Sequence, residues 1–142
     1  LELHSQIREP FVTLGASLDI PIGAGFLREG TGSEFCHLAI TALRQPRQSF
    51  APGLAEFPDT VTARGARHLD EMADMVREGH RAVMVYLVQR GDCESMRLCR
   101  ELDPAYGAAF DRAAACGVEA IAIRCQISPE EIAPAKPIPL VD

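Results

Sequence analysis

The sequence predicts an α/β fold, and three observations carry that prediction. An uninterrupted apolar run of strand length spans residues 82–88. A helical stripe precedes it and ends at a glycine. A second helix, opened by Asp103-Pro104 and closed by Gly117, leads straight into another apolar run at 118–127. Helix, strand, helix, strand in this order is the pattern of a sheet with helices packed on it.

Before residue 54 the chain is punctuated by turn residues at Pro21, Gly23, Gly30, Gly32, Pro46 and Pro52-Gly53, so only short strands fit there. Candidates are 11–14, 17–22 and 35–43. In the last, Cys36, Leu38, Ile40 and Ala42 are more apolar than the alternate set, and this face is expected to meet the core. A helix is expected from a cap at Asp59 or Thr60 to Glu78, with Gly79 as its stop. Val61, Gly65, Leu69, Met72 and Val76 form its inner stripe, while Arg64, Arg67, His68, Glu71, Asp74 and Arg77 form its outer side.

Residues 81–89 follow as a strand covered on both faces, expected at the centre of the sheet. A helix from Asp103-Pro104 to Cys116 and a strand at 118–127 then complete a parallel, right-handed crossover. Pro129, Pro134, Pro137 and Pro139 rule out a final helix and predict an irregular or edge-strand ending.

Composition limits the function. With 142 residues, 47% hydrophobic and 24% charged, the chain has the content of one globular domain with a sizeable core. No run approaches the ~20 apolar residues a membrane helix needs, and no secretion signal is expected. The five cysteines are odd in number and lack CxxC spacing, which argues for reduced thiols in a cytoplasmic protein rather than a disulfide framework or zinc site. A net charge of −6 disfavours indiscriminate nucleic-acid binding and places the weight on local clusters of arginine.

Phe57-Pro58-Asp59-Thr60-Val61-Thr62-Ala63-Arg64-Gly65, continuing to His68-Leu69, resembles the signature of the sugar fermentation stimulation (SfsA) family, departing from it at Thr60. Glu78-Gly79-His80-Arg81-Ala82-Val83, Asp103-Pro104-Ala105-Tyr106, Gly117-Val118-Glu119 and Ile127-Ser128-Pro129-Glu130 extend the similarity at the family's spacing. The chain therefore reads as one nuclease-like domain, residues 1–142, with a divergent part at 1–53 and a well-matched part at 54–142. The resemblance implies a restriction-endonuclease-like, PD-(D/E)XK-type core, a mixed sheet flanked by helices. It also implies an amino-terminal nucleic-acid-binding barrel in family members, to which nothing in this sequence corresponds.

The family's catalytic strands carry a Glu, an Asp and a Glu-x-Lys pair. By resemblance the first two fall on Glu9 and Asp19, and the third falls on Ala39 and Thr41. Phosphodiester hydrolysis in such a site needs a divalent cation held by carboxylates and a cation beside the attacking water. With Ala39 and Thr41 both are lost. Asp19 and Glu9 would hold Mg²⁺ weakly if at all, and no metal-dependent cleavage is expected.

Thr62, Arg64, Arg67 and His68 are the candidates for contacting double-stranded DNA, against the plainer reading of a solvated helix face paired with Glu71 and Asp74. Asp59 is read as the helix cap, and His4 and His37 as structural. Cys36 lacks the partners of a nucleophile, and the glycines at 23, 25, 30 and 32 lack the Gly-Lys-Ser/Thr of a phosphate loop. The leading expectation is a DNA-binding or transcription-regulating domain with an inactive nuclease fold. One alternative is an active Mg²⁺-dependent nuclease in which Glu34 or Glu56 replaces the missing ligand. A second is a protein-interaction fragment that forms a homo-oligomer through a sheet edge.

Overall fold

The computed structural model describes residues 25–29, 36–43 and 51–141. The strand candidates at 11–14 and 17–22 lie outside them. In chain order the elements are β1 (Gly25–Glu29), β2 (Cys36–Leu43), β3 (Leu54–Phe57), α1 (Ala63–Arg77), β4 (Arg81–Val88), β5 (Ser95–Leu98), α2 (Pro104–Cys116), β6 (Glu119–Ile127), β7 (Ile132–Ile138) and β8 (Leu140–Val141).

Five strands form a mixed sheet in the order β1-β2-β4-β6-β7. The run at 81–88 occupies its centre, parallel to β2 on one side and β6 on the other, as the sequence predicts. Residues 82–88 are buried throughout because both faces are covered. Ala82, Met84, Tyr86 and Val88 join the larger core with α1 and α2, while Val83, Val85 and Leu87 join a second cluster with Ile123 and Cys125. The proline-bearing tail is an edge strand, β7, antiparallel to β6 with a register shift between Arg124 and Cys125.

Three expectations are corrected. First, α1 begins at Ala63, capped by Thr62 rather than Asp59 or Thr60. The Thr62 hydroxyl accepts from Gly65 N at 3.1 Å and its carbonyl accepts from Ala66 N at 3.1 Å, leaving Asp59 and Thr60 exposed in the preceding bend. The helix also ends one residue early, at Arg77, with Glu78 as its C-cap and Gly79 at φ +91°. Second, Ala39 and Leu43 of β2 enter the main core, and Ile40 packs against the second cluster. Side chains from both faces of β2 join a core cluster, so the more apolar set does not mark a single core side.

Third, His68 is buried along with Leu69, Met72 and Ala73. Packing against α2 as well as the sheet broadens the covered stripe beyond the one the apolar residues mark.

A small parallel sheet, β3-β5-β8, was not foreseen. Its strands have four, four and two residues, too short for alternation to register in the sequence. It places Ala55, Met96 and Leu98 in the main core. β3 runs into the start of α1 and β5 into the start of α2, so both helices are launched from one strand layer. Cys93, Cys99, Cys116 and Cys125 are free thiols, and burial pushes the Cys125 thiol up to about 11. No helix among the described residues is long and apolar enough to cross a membrane.

Candidate nucleic-acid interface

The signature segment is organised by one buried carboxylate. Asp103, 2% exposed, caps α2 by accepting from Tyr106 N at 2.9 Å, and its other oxygen accepts from Thr62 N at 2.7 Å. The starts of α1 and α2 are thereby joined through a single side chain. Gly65 lies against this junction: a Cβ there would come within 3.0 Å of the Tyr106 ring and 2.9 Å of the Thr62 hydroxyl. Beneath it the hydroxyls of Tyr86 and Tyr106 share a hydrogen bond of 2.7 Å, and Phe57 meets the Tyr106 ring edge-on at 5.2 Å. Burial raises the pKa of both tyrosines and keeps them neutral.

This geometry divides the signature into two sets. Phe57, Pro58, Thr62, Gly65 and Leu69 build the junction and the core. Asp59, Arg64 and Arg67 face solvent. Arg67 stands 3.9 Å from Glu71, one turn along the helix. Arg64 makes no ion pair with a described carboxylate, in contrast to Arg77, Arg81, Arg90, Arg97, Arg100, Arg112 and Arg124, each paired with an Asp or Glu.

His68 lies beneath the two arginines. Burial of its ring lowers its pKa, Glu71 opposes the change, and Arg64 and Arg67 lower it further. A histidine that resists protonation when folded lets the unfolded chain bind more protons below the ordinary value of ~6.5, so stability is full above that pH and falls on acidification through it. Urea midpoints are expected to decrease from pH 7.5 to 5.5, with a shallower decrease in His68→Gln.

The metal-type donors have different surroundings. Ala39 is 1% exposed and pairs in register with Met84, and Thr41 pairs with Tyr86, so these two positions present a methyl and a hydroxyl rather than a carboxylate and an amine. Glu56, Cys99 and Glu101 bring ligand-type atoms within 4.8 Å of one another. Arg97 already satisfies that group, donating Nε to Glu56 at 2.6 Å and Nη2 to Glu101 at 2.7 Å. The described residues thus do not fit a divalent cation at the Ala39 position, and Glu56 is engaged elsewhere. Glu9, Asp19, Glu34 and His4 lie outside the described residues, as do the side chains of Cys36 and His37.

Residues 47–131 match the Sugar fermentation stimulation protein RE domain, SfsA. The chain belongs to the SfsA family. It is 56% identical over 101 residues to a sugar fermentation stimulation protein homolog of Rhizobium meliloti (strain 1021), covering 71% of this chain and 42% of that protein. A homolog from Allorhizobium ampelinum (strain ATCC BAA-846 / DSM 112012 / S4) is 46% identical over 114 residues, covering 80% of this chain and 47% of that protein. The matched stretch of the chain covers less than half the length of either relative. Among solved structures, Pyrococcus furiosus SfsA in complex with Ca²⁺ superposes with a TM-score of 0.65 at 22% identity, over 76% of this chain and 46% of that one. The nuclease-like α/β fold of SfsA is therefore the fold of this chain.

Sequence reasoning found the SfsA signature but missed Asp103 as the acceptor shared by both helices. Its partner Thr62 is 41 residues away in the chain. Asp103-Pro104 advertises only the local cap.

Proposed function

We propose that this SfsA domain is a cytoplasmic, regulatory DNA-binding unit that grips duplex phosphates through Arg64 and Arg67 and does not cut the strand. The Arg64 guanidinium, exposed on the first turn of α1 and in no ion pair with a described carboxylate, carries this reading. Among the described residues, an arginine that no carboxylate engages offers a phosphate a fork of donors without first breaking an ion pair. Arg67, loosely held by Glu71, adds a second charge one turn on. Thr62 and His68 act from behind, as the cap of α1 and as a buried ring beneath the arginines.

The chemistry at Ala39 and Thr41, which supplies neither a metal-ligating carboxylate nor a cation, supports a reading without cleavage. Tight Mg²⁺ binding is accordingly not part of this proposal.

Fluorescence anisotropy with a labelled duplex at low salt tests it. Arg64→Ala is expected to weaken binding on the order of tenfold and to lower the salt slope by about one. Supercoiled plasmid should stay intact in Mg²⁺ or Mn²⁺. No binding at low salt, or Mg²⁺-dependent nicking, overturns the reading.

A further inference from the structure

Two like charges oppose each other on the last two strands of the main sheet. Arg124 of β6 pairs in register with Lys136 of β7, just before the register shift. Like charges directly opposite on antiparallel strands destabilise the pair unless an anion lies between them. Lys136 is the chain's only lysine. Glu94 supplies that anion: its carboxylate accepts from Arg124 Nη1 and from Lys136 Nζ, the latter at 3.3 Å.

The three groups are not held equally. Arg124 is sheltered, with a side chain 20% exposed and a contact of 3.4 Å from Nη1 to the Cys93 carbonyl. Glu94 has a side chain 66% exposed, while its backbone N–H is anchored on the Gly53 carbonyl at 2.7 Å. The carboxylate can therefore swing away without moving the chain. Arg90 is paired with Asp92, so among the described residues displacing Glu94 leaves Arg124 and Lys136 without a carboxylate partner. Arg124 also pairs with Val88, the last residue of β4, which places the cations at the carboxyl ends of parallel strands, where open α/β sheets receive ligands.

We propose that Arg124 and Lys136 form a seat for a phosphate group, occupied in the free protein by the Glu94 carboxylate as a stand-in. A guanidinium and an ammonium converging from two strands on one oxyanion suit a phosphate, whether it belongs to a nucleic-acid backbone or is free in solution. The nucleic-acid source rests on the DNA reading above; the seat itself does not.

The experiment uses the whole chain as wild type, Glu94→Gln, Glu94→Gln/Lys136→Ala and Arg64→Ala, with two probes. One is the labelled duplex at low salt. The other is inorganic phosphate, followed through the backbone amide resonances of Glu94, Arg124 and Lys136. Glu94→Gln is expected to bind the duplex about fivefold more tightly than wild type, and Lys136→Ala to cancel the gain. A phosphate-induced shift at the three amides of Glu94→Gln, with unchanged duplex affinity, supports the seat with free phosphate as its ligand. The same shift in a protein that never binds duplex removes the DNA reading and keeps the seat. Duplex binding that Arg64→Ala weakens while Glu94→Gln alters neither probe overturns the seat and keeps the DNA reading. No response of Glu94→Gln to either probe leaves the cluster a brace between sheets and overturns the proposal.

Discussion

Ala39→Glu is expected to cost this protein its cooperative fold instead of returning a metal ligand to it. Ala39 is 1% exposed in the cluster that holds Leu69, Met72, Met84 and Tyr86. A glutamate there adds volume to a packed interior, at ~1–3 kcal/mol, and brings a carboxyl group that must either stay ionised without a partner or be buried protonated, at several kcal/mol more. Against a total stability of about 5–15 kcal/mol for a domain, the sum consumes much or all of what is available. Thermal unfolding should show a Tm lowered by roughly 15 °C or more, or no transition at all. The double variant Ala39→Glu/Thr41→Lys provides the sharper contrast. If it folds near the wild-type Tm and nicks plasmid in Mg²⁺, the position is an open cleft and the core assignment of Ala39 is wrong.

Asp103→Ala should show the second large effect, a loss of about 2–4 kcal/mol in urea unfolding. About 1 kcal/mol comes from the missing cap of α2 and ~1–3 kcal/mol from the Thr62 N–H left without its acceptor. The carboxylate also lies close to the positive ends of two helices, which adds a few tenths of a kcal/mol for each. Asp103→Asn separates these contributions. Its amide oxygen can still accept from Tyr106 N, but its NH₂ group would face the Thr62 N–H donor, so a loss between wild type and Asp103→Ala is expected. Equal stability of Asp103→Ala and wild type would mean that the two helix starts are held by packing of Gly65 on Tyr106 alone.

The elements that could be read in the sequence are those whose signals are local. The central strand at 81–88 needed only an apolar run too short for a helix, and α2 announced itself through Asp103-Pro104 at one end and Gly117, at φ +104°, at the other. The start of α1 was ambiguous because Asp59, Thr60 and Thr62 are all capping residues. The bond from Thr62 N to Asp103 lies on the far side of 41 residues. His68 was placed on the wrong side of α1 because four-residue spacing to Arg64 marks a shared helix face, not its exposure.

The candidate site followed the same division. Arg64 and Arg67 stood out as charges within a signature, and their exposure agrees with that. The cluster of Glu94, Arg124 and Lys136 joins residues 30 and 42 positions apart and depends on the β6–β7 register, for which no sequence motif exists. Arg124 carries no mark along the chain that separates it from an ordinary surface charge, and Lys136 is set apart only as the single lysine.

The prolines of β7 have a bearing on how the molecule behaves when concentrated. Pro134 and Pro137 lie within the strand that ends the five-stranded sheet, and Pro139 follows it directly. Pro134 and Pro137 each remove a backbone amide donor from β7, which makes this strand a poor template for pairing with a strand of another molecule. Growth of a continuous cross-molecular sheet past β7 is therefore disfavoured.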